Sequence, residues 1–398
     1  VPSRVRLIVV LGVLSAFGPL ATDVYLPAMP QMVEDLGTTD ALGHATMSAC
    51  MIGLAFGQLL IGPLSDRFGR RLPLLSGVAA FAVFSLLCAA APTIEILIAA
   101  RFLQGAGGAA GIVVARAVVR DISSGSESAR MFSTLAAITG IAPVVAPLAG
   151  GATLLVTDWR GVFVALAALG AAILVVAAIA VPDTLAEDHR SRGALRAQLT
   201  EMSRVVGNRR FLPAALALGF AGMALFTYIP MGAIVLQDQY GLTPQAYSLV
   251  FAGIALAMVA LTRLNARLVR RLPLRGLAIG AIALGSAGSA ALVACGVIDA
   301  PLALVILAML VGVFVHGSLL ANITAIALAP ISRGAGAASA VLGTLQFAIG
   351  AIIPPIVATG GVNLVAMGTT MLAGQLIAIL LLAAYGDRRP GVSGRSRR

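Results

Sequence analysis

Lysine is missing from this chain of 398 residues, so all 27 of its basic residues are arginine. Charged residues of both signs make up only 11% of the sequence, against 59% hydrophobic. A soluble domain of this length needs more charge to cover its surface, which excludes that class. There are three cysteines, Cys50, Cys88 and Cys295, each inside an apolar run and no two sharing a motif. That excludes a disulfide framework and a cysteine metal site, and leaves small buried apolar side chains. The three histidines form no pair, and neither His-Glu-x-x-His nor Gly-x-Ser-x-Gly occurs. The intramembrane enzyme reading therefore has no catalytic constellation to rest on, and neither a cofactor nor a metal is expected.

What the chain does have is apolar runs and 44 glycines. Small residues let membrane helices approach closely. A helix needs about 20 mostly apolar residues to cross a bilayer. That ruler predicts an all-α integral membrane fold with twelve spans: 5–31, 42–64, 72–91, 94–117, 129–154, 160–181, 211–235, 245–267, 275–297, 301–328, 336–358 and 362–385. Arg4 and Arg6 ahead of an apolar run mimic a signal peptide. The run continues past Asp23 to Pro30 without a small-residue cleavage site, so it reads as the first span. The polar stretch 182–210 divides the chain into an N-terminal six-helix half, 1–181, and a C-terminal one, 211–386, followed by a basic tail, 387–398.

The net charge of +11 would suggest a nucleic-acid partner in a soluble protein. Here the arginines sit between spans, and the bilayer is the partner they report on. With the N-terminus inside, the inner segments hold Arg4, Arg6, Arg67, Arg70, Arg71, Arg116, Arg120 and Arg130. They continue with Arg190, Arg192, Arg196, Arg204, Arg209 and Arg210, then Arg263, Arg267, Arg270, Arg271, Arg275, Arg333 and the tail from Arg388. The outer segments hold Glu34, Asp35, Asp40, Glu95, Asp158, Asp238 and Asp299, with Arg160 their only arginine. This alternation predicts both termini in the cytoplasm, in a multi-pass protein of the cell's inner membrane. Basic turns at 62–71 and 265–276 recur at the same place in each half, as in transporters built from two repeats.

Two charged groups fall inside spans. An ionised Asp23 near the bilayer centre costs about 2.5–3.5 kcal/mol, so such a group is paired, neutral or facing an aqueous cavity. It reads as a proton site or as a structural hydrogen-bonding group near the outer interface. Arg101 in the fourth span lies about 15 residues from that helix's inner end, and Asp23 about 18 from its own. At 1.5 Å per residue the depths agree within about 5 Å. A buried arginine keeps its proton and needs a partner. Arg101 thus either tunes Asp23 or forms a fixed ion pair joining two helices. His316 in the middle of the tenth span is unusual for a membrane helix and serves a ligand, a proton or an interhelical hydrogen bond.

The segment GPLSDRFGRR, Gly62 to Arg71, closely resembles the signature loop of the major facilitator superfamily. TDVYLPAMP (Thr22 to Pro30), RFLQGAGGAAG (Arg101 to Gly111) and VVRD (Val118 to Asp121) resemble elements of its Bcr/CflA group of drug-resistance exporters, of chloramphenicol, florfenicol and bicyclomycin type. The resemblance implies a proton-coupled efflux transporter that exports a small drug-like molecule by alternating access and works as a monomer. A metabolite transporter of the same fold is the alternative. The resemblance also implies proton coupling by Asp23 and Arg101. It implies an inner-side latch formed by Gly62, Asp66, Arg67, Gly69, Arg70 and Arg71. TGIAPVVAPLAGG, Thr139 to Gly151, resembles the antiporter signature, with Pro143, Pro147, Gly150 and Gly151 as its marks and Ala146 where the group carries glycine. By analogy the substrate would touch Tyr25, Phe226, Tyr228, His316, Gln346 and Phe347.

Overall fold

The structure is a computed structural model and describes residues 4–123, 125–185, 194–331 and 335–384. Arg190, Arg192, Arg333 and the tail 387–398 lie outside the described residues. Twelve helices there are long and apolar enough to cross a membrane. In chain order spans 1 to 6 are Arg6–Asp35, Asp40–Phe68, Arg71–Ala89, Ile94–Ile122, Arg130–Thr153 and Trp159–Ala180. Spans 7 to 12 are Phe211–Gln239, Pro244–Leu268, Leu274–Val297, Leu302–Leu328, Ala337–Ala358 and Leu364–Ala384. No strand occurs among the described residues. The predicted spans are all present; spans 2 and 4 run several residues further, because Asp66, Arg67, Arg120 and Asp121 continue the helix beyond its apolar part. Glu34 and Asp35, expected in a loop, lie on the last turn of span 1.

Prolines break the first span. Proline lacks an N–H and frees the carbonyl four residues earlier. Span 1 carries Pro19, Pro27 and Pro30 and is cut into Arg4–Ser15, Phe17–Asp23, a 3-10 turn at Leu26–Ala28 and Met29–Asp35. Span 10 is cut between Val313 and His316, which places His316 and Gly317 at the start of its second piece. Span 7 ends in a π-helical turn, Val235–Gln239.

Glycines decide which helices touch. In span 2 a Cβ on Gly53 would lie 2.0 Å from the Phe102 carbonyl oxygen of span 4, and one on Gly105 would lie 2.1 Å from that of Cys50. The two helices therefore meet backbone to backbone. Span 2 also packs on span 11, and span 5 on span 8; these are the most extensive contacts between the halves, and span 1 also touches spans 7 and 8. At the end of the bundle bearing the acidic residues this seam is closed. Gln245 donates to the Gly151 carbonyl across it at 2.9 Å. A Cβ at Gly140 of span 5 or Gly343 of span 11 would meet nothing within 4 Å.

The stretch read as a polar connector contains a helix, Ala194–Val206. It packs on span 2 of one half and span 11 of the other. Met202 and Val205 turn one face into the apolar cluster around Phe211, while Arg204 and Glu201 pair at 2.5 Å on the other. The connection is thus amphipathic rather than merely polar.

Gly105→Val would force spans 2 and 4 apart, an overpacking that costs about 1–3 kcal/mol. Thermal unfolding in detergent should show a lower midpoint for this variant, with Gly253→Val, which faces open space, close to wild type.

Candidate functional site: a buried arginine beside a broken first span

Arg101 is completely buried. Its Nη1 donates to the Ala21 carbonyl at 2.8 Å and to Gln104 Oε1 at 2.5 Å. Ala21 is among the last residues of the short helix Phe17–Asp23, whose terminal carbonyls have no intrahelical donor to spare for them. The break in span 1 thus supplies the acceptor. The guanidinium carbon stands 4.2 Å from the Tyr25 ring centroid and 5.5 Å from that of Phe163, within range for cation–π attraction. Gln104 is held in turn by its own donation to Ser85 Oγ at 2.7 Å. Among the described residues, Nε and Nη2 of Arg101 have no hydrogen-bond partner.

Asp23 is buried and accepts a hydrogen bond from Thr22 Oγ1 at 2.6 Å. It lies two residues beyond the carbonyl that Arg101 holds, so the two charges share one depth, as their spacing predicted. Among the described residues they make no ion pair, and the fixed pair joining two helices is not formed. Tyr25, which follows two residues later, shares a 3.1 Å hydrogen bond with Thr46 of span 2.

Span 5 closes this corner. Both Pro143 and Pro147 lie inside its helix. A Cβ on Gly150 would fall 1.8 Å from the Val24 carbonyl oxygen, and one on Gly151 would fall 2.5 Å from Ser248 Oγ of span 8. The two glycines thus let span 5 touch the residue after Asp23 on one side and the opposite half on the other. Ala146 is fully buried.

In the C-terminal half, Phe226, His316, Gln346 and Phe347 converge. Around Gly222 a Cβ would meet Gln346 Cγ at 3.4 Å, His316 Cε1 at 3.6 Å and Phe226 Cε2 at 3.7 Å. Phe226 and Phe347 have ring centroids 5.8 Å apart. Tyr228 stacks on Phe251 at 5.5 Å and is within electrostatic reach of Asp23. The Tyr228 hydroxyl, Thr227 Oγ1 and His316 Nδ1 are buried without protein partners. The expected contact residues therefore form two groups, Tyr25 with Arg101 and the other five on spans 7, 10 and 11.

At the arginine-rich end the stretch 62–71, read as a loop from sequence, is helical through Phe68, turns at Gly69 and is organised by Arg70. Its Nε and Nη2 donate to Asp121 at 2.8 and 3.3 Å, and Nη1 to Ser65 Oγ at 2.9 Å and Asp66 Oδ1 at 2.5 Å. Burial pulls the Arg70 guanidinium's pKa down, but the hydrogen bonds and charges of Asp121 and Asp66 outweigh it and the net shift is upward. Gly62 offers its carbonyl to Ser65 Oγ at 2.9 Å. Gly69 takes a φ of +86°, which favours glycine, and a Cβ there would lie 2.1 Å from Asp183 Oδ2. Asp183 accepts from the Arg70 amide at 2.8 Å, and Thr184 donates to Asp121 at 2.8 Å. Arg71 reaches the Ala178 carbonyl at 2.7 Å, whereas Arg67 stays outside the network, 4.9 Å over the Phe68 ring.

Residues 11–355 match the family model described as Major Facilitator Superfamily. The chain belongs to this superfamily. It is a membrane transporter of small molecules rather than an enzyme. An uncharacterized MFS-type transporter of Bacillus subtilis, YdgK, is 34% identical over 98% of this chain and 97% of its own. A bicyclomycin resistance protein homolog of Haemophilus influenzae is 28% identical over 95% of each chain. Among solved structures, a bacterial homolog of the human lysosomal transporter Spinster, inward-facing and unoccupied, aligns with a TM-score of 0.75 over 96% of each chain at 16% identity. This last likeness supports the twelve-helix fold alone.

Gln104, Ser85, Thr46 and Phe163 were not singled out by sequence. Gln104 carries a usable signal, since three residues after Arg101 on a helix it shares that residue's face. The others come from different spans and have none.

Arg70→Lys keeps the charge but cannot hold Asp121 and Asp66 together. The loss should cost about 2 kcal/mol, most of it from the better-buried Asp121 bonds. Thermal unfolding of the purified variant should show a lower midpoint than wild type.

Proposed function

We propose that this protein is a proton-coupled efflux transporter of the Bcr/CflA group that exports a small drug-like molecule, phenicol-type or multidrug. One observation carries the reading: a buried carboxylate, Asp23, lies at a proline-broken point of span 1, level with a buried arginine that no carboxylate neutralises. Such a pair has two charge states to choose between. With Asp23 ionised, its carboxylate accepts hydrogen bonds from a polar or cationic substrate beside Arg101; with Asp23 protonated, that acceptor charge is lost and the substrate is released. Substrate and proton then compete for one site, as antiport requires. The bicyclomycin resistance homolog supports a drug as cargo.

The mechanism is alternating access of two halves, 1–181 and 211–386, joined by the connector 182–210. The arginine-rich end is cytoplasmic, with both termini, and the membrane is the cell's inner membrane. Arg70, Asp66 and Asp121 latch that end in one state, with Gly62, Gly69 and Arg71 shaping the loop. Gly150, Gly151 and the prolines of span 5 let its helix shift beside Asp23. Tyr25, Phe226, Tyr228, His316, Gln346 and Phe347 line the substrate path. Proton entry from outside displaces substrate outward, helped by about 2.3 kcal/mol per inward charge for each 100 mV of inside-negative potential. One chain holds one pathway and works as a monomer.

Proteoliposomes loaded with a phenicol or a fluorescent cation test this. Transport by wild type should follow an imposed pH gradient, and Asp23→Asn should abolish the dependence. Transport that ignores the gradient and survives the substitution would make the protein a facilitator of some other metabolite.

A further inference from the structure

His44 plays no part in the cycle proposed above, although its ring is fully buried in the seam between the halves. Its exposure is 0%. It lies one turn into span 2 at the acidic end and faces the Pro354 main-chain carbonyl of span 11, across the boundary between the halves. Neither ring nitrogen makes a hydrogen bond of good geometry. Pro354 and Pro355 both lack N–H groups, which leaves the carbonyls of Gly350 and Ala351 without their helical donors and makes this stretch of span 11 rich in acceptors.

The surroundings on the acidic side differ sharply from the seam itself. Asp40 precedes His44 by four residues and so lies above it on the same helix face. Asp40 and Glu34 both act electrostatically on Asp238 of span 7. Glu34 and Asp238 line a cavity of about 590 Å³ that opens at this end between span 1, span 5 and the span 7–8 turn. The remaining charged groups on the elements packed around this part of span 2 are few. Asp35 is tied to Arg160 and Trp159. Glu95 lies in the first turn of span 4, Arg101 six residues deeper on it, and Asp23 stands on span 1. Span 11 carries no charged residue.

We propose that His44 is a second proton-binding site, distinct from Asp23, and that protonation of its ring parts the seam between the halves at the acidic end. The step moves one proton onto the imidazole and changes no other bond than hydrogen bonds. The closed seam suits the neutral ring, which carries no charge and lies within electrostatic reach of the Pro354 carbonyl. An imidazolium adds a charge and a second N–H, for which the closed seam supplies no carboxylate, and a buried unpaired charge is strongly disfavoured. Once the seam parts, the ring emerges beneath Asp40, Glu34 and Asp238, which stabilise the cation. The parted form therefore binds the proton more tightly, and by linkage acid shifts the population towards it. The proposal rests on the alternating-access reading above.

The test uses the full chain in lipid nanodiscs, where buffer bathes both ends. Spin labels on Leu42→Cys and Thr359→Cys, exposed positions at the acidic ends of spans 2 and 11, report the seam by electron–electron distances. From about pH 8 to about pH 5 the long-distance population should rise several-fold. The rise should persist in Asp23→Asn and vanish in His44→Gln. Either no rise in the otherwise unsubstituted chain or an unchanged rise in folded His44→Gln overturns the proposal. If His44→Gln does not fold, the imidazole C2–H exchange profile of the His44 peptide in the native-sequence protein decides. Its midpoint should coincide with that of the distance change, and a separation above about one pH unit overturns the proposal. Persistence of the rise in an Asp23→Asn protein that still transports would sink the role given to Asp23 while leaving that of His44 intact.

Discussion

A guanidinium cannot shed its charge at any pH a cell meets, so a helix that carries one into the bilayer obliges its neighbours to accommodate it. Arg101 sets that obligation here. Its solution does not use a carboxylate in contact: a carbonyl from a helix end, a glutamine amide and two aromatic faces share the charge. The carbonyl is available because span 1 is broken, and span 1 is broken because Pro19, Pro27 and Pro30 cannot complete its ladder. Asp23 sits in that break. The same local feature thus provides the cation's acceptor and holds the carboxylate close enough to feel it without being captured.

The rest of the bundle can be understood as support for this corner. Gly53, Gly57 and Gly105 bring spans 2 and 4 into backbone contact, which fixes the helix bearing Arg101. Gly150 brings span 5 against the Val24 carbonyl, and Gly151 links the same helix to span 8. Movement of one half against the other must therefore pass by Asp23. At the other end the Arg70 cluster ties spans 2, 3 and 4 to the start of the connector through Asp183 and Thr184. The helix Ala194–Val206 then bridges spans 2 and 11.

The spans were legible in the sequence because bilayer thickness dictates a run length that composition reveals directly. Asp23 and Arg101 were legible because a charge inside such a run is costly and stands out. Their common depth followed from helical rise, yet the absence of an ion pair between them did not, since side-chain direction in a broken helix has no simple period. Asp183 and Thr184 were unreadable as partners of Arg70 and Asp121, being more than 60 residues away in sequence from either acceptor's helix partner. The connector helix was missed because its polarity masked a short amphipathic pattern. His44 drew no notice because a histidine one turn inside a span looks interfacial until span 11 is seen to cover it.

The central claim is that Asp23 gives up its proton when substrate arrives beside Arg101. Proton release on binding measures this directly: substrate is added to purified protein in weakly buffered detergent solution and the pH change is followed. The account predicts release of up to about half a proton per chain near the midpoint of the Asp23 titration, and none from Asp23→Asn. Binding with no proton release by the native-sequence protein, or equal release by both proteins, would contradict it.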